Sequence, residues 1–211
     1  GSALDYVDVL HNNQLIHRET IFPVRADSGT FKLYIEAGWG EREDAFDWDI
    51  DIVVDDGILQ LVEPRLRGYG PTDTAPDDAD YAYHQLDTDG NHVRLKTKTR
   101  KNISLHTPAT EGMCLQIEGT VDTCLHATIN GVKHELRLED LLTGSRTIYT
   151  GGFVSPVICF HRAIPQDEYT HHFTFTHQQQ SSTRDWYTLR VRQHNNQWAW
   201  SSPIWVNGSA T

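Results

Sequence analysis

The chain has 211 residues, of which 38% are hydrophobic and 22% are charged, and its formal net charge is −11 at pH 7. Nucleic-acid binding is driven by Lys and Arg, so this charge argues against a general nucleic-acid binder. No apolar run approaches the roughly 20 residues that a membrane-spanning helix needs, so we expect no membrane partner. Gly1-Ser2 looks like a remnant of cloning, and we expect a single domain over residues 3–211.

The first part of the chain predicts short β-strands joined by turns, because apolar and polar residues alternate between turn residues. A strand–turn–strand unit over Asp5–His17 is followed by a strand over Gly29–Ala37. Ala45–Val54 alternates most regularly, with Trp48 on its apolar face. The acidic residues of its other face are Asp47, Asp49 and Asp51. Asp55-Asp56-Gly57 then predicts a turn that ends this strand.

Arg67–Asp89 is rich in Gly, Pro, Asp and Thr, and predicts a long surface loop of the kind that often carries function. At its end, the oxygen-bearing side chains of Asp87, Asp89 and Asn91 alternate around a glycine, as they do in calcium loops. The bidentate Glu that closes such a loop is missing, and the same residues make an ordinary hairpin turn. We therefore keep a structural calcium site as the alternative to a turn, and predict no other cofactor.

The next predicted strand, His92–Arg100, carries a row of basic residues at every second position. These residues are Arg94, Lys96, Lys98 and Arg100. A strand places them on one face, where Arg forks could pair with the carboxylate or sulfate groups of an anionic polymer. A solvated strand face, or a sheet edge protected by Lys against aggregation, explains the same residues.

The second half of the chain continues the strand pattern. The predicted strands are Met113–Glu118, Cys124–Ile129, Val132–Leu138, Val154–His161 and Tyr169–His177, with a turn at Asn130-Gly131 and one helical turn over Glu139–Gly144. About a dozen short strands predict an all-β fold, a two-sheet antiparallel β-sandwich of the jelly-roll or Ig-like kind with almost no helix. Cys114 and Cys124 could form a disulfide, although small buried thiols are the preferred interpretation.

Four of the six tryptophans lie in the last 26 residues. Alternation over Trp186–Gln193, a polar turn and a second aromatic run predict a β-hairpin. Trp198 and Trp200 share one orientation, and Trp186 and Trp205 are candidates for closing the sandwich. So much aromatic area either closes a core or builds a binding face, and the alternation favours a closing strand pair.

This hairpin also carries a resemblance. Asp185-Trp-Tyr-Thr-Leu-Arg-Val-Arg-Gln193, followed by Ala199-Trp-Ser-Ser-Pro-Ile-Trp-Val206, resembles the end of the β-sandwich module that follows the catalytic domain in some bacterial PHP-type metallohydrolase-like proteins. Phe46-Asp-Trp-Asp-Ile50 and Val62–Gly68 fit the same kind of module. The resemblance implies a non-catalytic accessory sandwich, whose partner is the catalytic domain of a parent protein. The family's metal chemistry depends on a His-x-His motif, which this sequence does not contain.

The leading functional hypothesis is a carbohydrate-binding accessory module, with acidic or sulfated polysaccharides as candidate ligands. Sugars stack their C–H faces on exposed aromatic rings, and the basic row would pair with anionic groups. The predicted stacking residues are Trp39, which lies between two glycines, and the loop residues Tyr69, Tyr81 and Tyr83. The alternatives are a structural or interaction module that packs on a catalytic domain and, third, a glycan-active enzyme that uses paired carboxylates. A glycan-binding chain would be extracellular or periplasmic.

Overall fold

The computed structural model describes residues 2–38, 45–66, 84–100, 110–152, 155–178 and 184–207. The strands in chain order are β1 Leu4–His11, β2 Gln14–Thr20, β3 Ser28–Gly38, β4 Ala45–Arg65, β5 Gln85–Asp89, β6 His92–Arg100, β7 Glu111–Ile129, β8 Val132–Arg137, β9 Arg146–Tyr149, β10 Val157–Phe160, β11 Ile164–Pro165, β12 Arg184–Gln193, β13 Trp198–Trp200 and β14 Ile204–Asn207. The helices are α1 Leu138–Thr143, which confirms the predicted helical turn, and α2 Gln166–Tyr169. Neither of these helices is long and apolar enough to cross a membrane.

The chain divides into two compact units, each built around an antiparallel sheet, which confirms the all-β class. Unit 1 consists of residues 1–25 and 164–211, and unit 2 of residues 26–163. The single domain expected over residues 3–211 stays a prediction.

The sheet of unit 1 has the strand order β13-β12-β1-β2, and β14 also pairs with β12. β1 turns into β2 at Asn12 and Asn13, whose φ angles of 48° and 66° are the left-handed values that a tight hairpin turn needs. β12 pairs with β13 and β14 in turn, which confirms the C-terminal hairpin. The two chain ends therefore build one sheet, because β1 and β12 are hydrogen-bonded neighbours.

One face of this sheet is apolar and is contacted by residues that follow α2. Val7 and Val9 are buried on this face, and the ring of Phe175 stacks on His17 with centroids 4.5 Å apart. The ring of His177 lies 4.9 Å from that of His11. The predicted strand over Tyr169–His177 is wrong: its aromatic alternation reflects these ring contacts, and residues 170–177 form no strand.

In unit 2 the strand order is β5-β6-β4-β7-β3-β10-β9, with β8 paired to β7. β4 and β7 have 21 and 19 residues, and they pair with each other on both sides of a bend. The predicted turn at Asp55–Gly57 is wrong, because β4 passes through it as a bulge with Asp56 at φ 51°. A Cβ on Gly57 would lie 2.8 Å from Thr123 Cγ2 and 3.1 Å from the Glu118 carbonyl oxygen, so glycine permits the close approach.

The bent sheet encloses a single hydrophobic core, to which both of its halves contribute. The largest fully buried side chains are Trp48, Phe31, Phe160, Leu33, Ile35, Ile50, Ile52, Leu95, Met113, Leu115, Ile117 and Leu125. Each large apolar side chain buried here contributes roughly 1.5–3 kcal/mol. Trp48 is a core residue, as predicted, and its Nε1–H donates to Thr99 Oγ1 at 2.8 Å. The two antiparallel sheets of the chain, with five and nine strands, agree with the predicted all-β sandwich.

The three cysteines are free thiols. Cys114 and Cys124 lie ten residues apart on the same strand, β7, and not on adjacent strands, so the disulfide alternative is wrong. Burial raises the pKa of the Cys114 thiol, in agreement with the preferred interpretation of a small buried residue.

Candidate functional site

The predicted stacking residues Trp39, Tyr69, Tyr81 and Tyr83 lie outside the described residues. The hypotheses that rest on them stay predictions. The described part of the chain carries two surfaces that bear on the other functional hypotheses, one in each unit.

The first surface is the predicted basic row of β6 in unit 2. The side chains of Arg94, Lys96 and Lys98 lie on one face of the sheet, directly opposite the aspartates of the neighbouring strand β4. Lys98 Nζ lies 3.5 Å from Asp47 Oδ1, Lys96 Nζ lies 3.7 Å from Asp49 Oδ2, and Arg94 Nε lies 3.4 Å from Asp49 Oδ1 and 3.5 Å from Asp51 Oδ2. We call these residues the ion-pair ladder.

The ion-pair ladder has almost no net charge, because three basic groups meet three carboxylates. In addition, His92 Nε2 lies 3.0 Å from Asp51 Oδ2. Pairs as exposed as these stabilise a protein by about 0–1 kcal/mol each. Arg100, the last residue of the predicted row, pairs with Ala45 through the backbone, and its side chain lies outside the described residues.

The candidate calcium residues belong to the β5–β6 hairpin, which confirms the turn at Gly90 with φ 57°. Asn91 Oδ1 accepts the Leu59 N–H at 2.9 Å, and Asn91 Nδ2 donates to the Gly57 carbonyl at 2.7 Å. Asn91 therefore fixes the hairpin to the bend of β4. Asp87 lies opposite Arg94, and Asp89 opposite His92.

Among the described residues, no group of three or more His, Cys, Asp or Glu side chains is arranged to hold a metal ion. The calcium site at Asp87, Asp89 and Asn91 stays a prediction.

The second surface lies on unit 1, on the face of the sheet opposite Val7 and Val9. Cross-strand neighbours in antiparallel pairs project from the same side of a sheet. This places aromatic and arginine side chains of β1, β2, β12, β13 and β14 together around Asp8, and we call the surface the aromatic–arginine face. Its residues are Tyr6, Asp8, Arg18, Arg184, Trp186, Arg190, Arg192, Trp198, Trp200 and Trp205.

A buried carboxylate organises the centre of this face. Asp8 is fully buried and accepts hydrogen bonds from Arg18 Nε at 2.6 Å and Arg190 Nη2 at 2.6 Å. Second bonds from the same two guanidinium groups measure 3.0 Å each. Burial raises the pKa of Asp8, but the hydrogen bonds and charges of the two arginines outweigh it, so the pKa lies below its ordinary value. One carboxylate thus fixes two arginines.

The arginines of the face lie against aromatic rings. The Arg18 guanidinium lies 3.7 Å from the centroid of the Tyr6 ring. Arg190 and Arg192 lie 5.4 Å and 5.3 Å from the ring of Trp198. These distances fall within the range of cation–π attraction. For Arg18 and Arg190, this attraction adds to the hydrogen bonds that they donate to Asp8.

The tryptophans of the face are largely exposed. Trp200 is 62% exposed, Trp205 49% and Trp198 41%. The rings of Trp198 and Trp200 are 19° from parallel with centroids 5.9 Å apart, and Trp205 pairs with Trp186 at 5.5 Å. Their alternation in the sequence predicts a closing strand pair. The strand pairing is found, but three of the four indoles meet solvent, and such exposed apolar area on a soluble surface is typical of binding sites.

An open groove adjoins Trp198 at the end of the hairpin. It is lined by Val191, Gln193, Gln197 and Ala199 together with Trp198. Val191 and Ala199 pair on the Val7 side of the sheet, so the groove is not part of the aromatic–arginine face.

No protein-family model, no curated protein and no solved structure matches the chain. The resemblance to the accessory module of PHP-type proteins therefore stays a prediction. The function must be argued from the chemistry of the two surfaces.

Proposed function

We propose that the chain is a non-catalytic carbohydrate-binding module, and that its ligand-binding surface is the aromatic–arginine face. The observation that carries this proposal is the pair of neighbouring exposed indoles, Trp198 and Trp200. A pyranose ring presents a flat C–H surface, which gains dispersion energy and hydrophobic burial when it covers an indole.

The Asp8 clamp, which is Asp8 with the two arginines Arg18 and Arg190, supports the proposal because it holds a guanidinium beside Trp198 before a ligand arrives. Arg190 is hydrogen-bonded to Asp8 and lies against Trp198, so it limits the rotation of that ring. A platform held in its binding geometry loses little conformational entropy on association.

An interaction module that meets an acidic partner through β6 is less well supported. Asp47, Asp49 and Asp51 already neutralise the basic row there. An acidic partner would have to compete with carboxylates that the chain itself supplies.

Affinity electrophoresis through gels that contain one polysaccharide each, neutral or acidic, tests the proposal. At least one polysaccharide should retard the chain, and the Trp198→Ala/Trp200→Ala variant should lose at least about tenfold in affinity, or about 1.4 kcal/mol. The Arg94→Ala/Lys96→Ala variant is the matched control in the ion-pair ladder, and it should bind as the parent does.

Far-ultraviolet circular dichroism and thermal unfolding of each variant verify that the fold is intact. Retardation that survives the double tryptophan substitution but is lost in the β6 variant would overturn the assignment of the surface. A chain that no polysaccharide retards would overturn the proposed function itself.

A further inference from the structure

The aromatic–arginine face extends along the whole of β12. Arg184, Trp186, Arg190 and Arg192 share one side of this uninterrupted strand. At about 3.3 Å per residue, the distance from Arg184 to Arg192 is about 26 Å. One tryptophan pair lies near each end of the row, with Trp205 on Trp186 and Trp200 beside Trp198. Such a row is longer than a single sugar and suits an extended chain of them.

The face has more cations than anions. Four arginines meet two carboxylates, those of Asp8 and Asp5. Asp8 is shared by Arg18 and Arg190, which occupy its hydrogen-bonding capacity.

The two outer arginines, Arg184 and Arg192, are bound less completely by carboxylates. Arg192 Nη2 donates a hydrogen bond to Asn196 Oδ1, and Arg192 Nε lies 3.7 Å from Asp5 Oδ2, beyond hydrogen-bond distance, so Arg192 makes no hydrogen bond to a carboxylate among the described residues. The guanidinium of Arg184 lies 4.1 Å from the centroid of the Trp205 ring, and it makes no ion pair with any carboxylate in the described part of the chain. Each end of the row therefore presents a guanidinium beside an exposed indole.

This excess of positive charge contrasts with the rest of the chain. The chain has 29 acidic and 18 basic residues, and its net charge of −11 repels polyanions in general. A polyanion that nevertheless binds needs a local site at which cations are in excess. Guanidinium forks match the geometry of carboxylate and sulfate oxygens, and stacking on an aromatic ring leaves their edge N–H groups available.

We infer that the ligand of the aromatic–arginine face is an extended anionic polysaccharide. Its sugar rings cover the two tryptophan pairs, and its carboxylate or sulfate groups pair with Arg184 and Arg192. This inference rests on the proposed function and gives the class of its ligand.

Two pairs of polymers that differ only in charge test the inference. Polygalacturonate and its fully methyl-esterified form differ in carboxylates, and dextran sulfate and dextran differ in sulfates. In isothermal titrations at low salt, the charged member of at least one pair should bind at least about tenfold more tightly than its neutral form. Whichever pair responds identifies the anionic group.

The Arg184→Gln/Arg192→Gln variant should abolish that preference while it keeps the tryptophan pairs. The Arg94→Gln/Lys96→Gln variant, which removes the same number of charges from the ion-pair ladder, should retain it. For the charged polymer, added salt should weaken binding to the parent more than binding to the Arg184→Gln/Arg192→Gln variant. Oligomers too short to reach both tryptophan pairs should bind more weakly than long ones.

The possible failures can be told apart. Equal affinity for charged and neutral polymers would overturn the inference and leave the proposed function standing. A charge preference that the ion-pair ladder variant removes would also overturn it. Absence of binding to all four polymers and to the wider panel would overturn both.

Discussion

Two of the described strands carry several basic residues on one face, β6 in unit 2 at every second position and β12 in unit 1 at Arg184, Arg190 and Arg192. In β6 the neighbouring strand supplies aspartates, and the result is a ladder of ion pairs with little net charge. In β12 the neighbouring strands supply tryptophans and a single buried carboxylate, so that guanidinium groups and indoles meet solvent together. The comparison teaches that the side chains of the neighbouring strand determine whether a row of cations is neutralised within the sheet or remains available to a ligand.

The largest expected difference between the two rows is in their contribution to stability. Asp8→Ala should lower the free energy of unfolding by about 3 kcal/mol, because it leaves two half-buried arginines without their shared acceptor. Asp49→Ala, in the exposed ion-pair ladder, should cost at most about 1 kcal/mol. Urea unfolding followed by circular dichroism measures both values. Equal losses in the free energy of unfolding would mean that Asp8 contributes no more to stability than an exposed aspartate does.

The next effect concerns pH. Because the pKa of Asp8 is lowered in the folded chain, its charged form stabilises the fold at a pH above its ordinary value of about 3.9, and this contribution is lost as the pH falls through the folded-state pKa. The difference in stability between the parent and Asp8→Asn should be constant near neutrality and shrink in acid. Denaturant titrations at a series of pH values test this, and a difference that grows in acid would contradict the lowered pKa.

The smallest effect is the coupling within the ion-pair ladder. A double-mutant cycle of Arg94→Gln and Asp51→Asn should give an interaction energy below about 1 kcal/mol, since both side chains are partly exposed. That energy should fall further at high salt. An interaction of several kcal/mol that persists in salt would show that the ion-pair ladder is as strongly organised as the Asp8 clamp.

Much of the fold could be predicted from the sequence because strand alternation and turn chemistry are local. The asparagine turns, the buried face of Ala45–Val54 and the C-terminal hairpin are found where the pattern predicted them. The turn predicted at Gly57 was wrong because a bulge in a long strand and a turn between two strands need the same residues. Only the partner strand β7, which pairs with β4 on both sides of the bend, distinguishes the two.

The candidate site was harder to predict for a related reason. Period-2 alternation tells which residues share a face, but it does not tell whether that face is covered. Trp48 and Trp200 both alternate with polar residues, yet one is 1% exposed and the other 62%. Similarly, the basic row of β6 gave no sign that the aspartates of β4 would lie opposite, because strand pairing between distant segments is not encoded locally. Arg190 and Arg192 of β12 alternate with apolar residues as the first basic residues of β6 do, so alternation alone does not tell which row is neutralised.

The six indole N–H groups provide the most direct test of the central claim, that the aromatic–arginine face binds polysaccharide. Two-dimensional nuclear magnetic resonance of the chain, titrated with the tightest-binding polysaccharide or an oligomer of it, reports on each indole separately. The account predicts that the Nε1–H signals of Trp198, Trp200 and Trp205 shift, while that of Trp48, buried and bonded to Thr99, does not. Shifts confined to the amides of β6, with the exposed tryptophans unchanged, would contradict it.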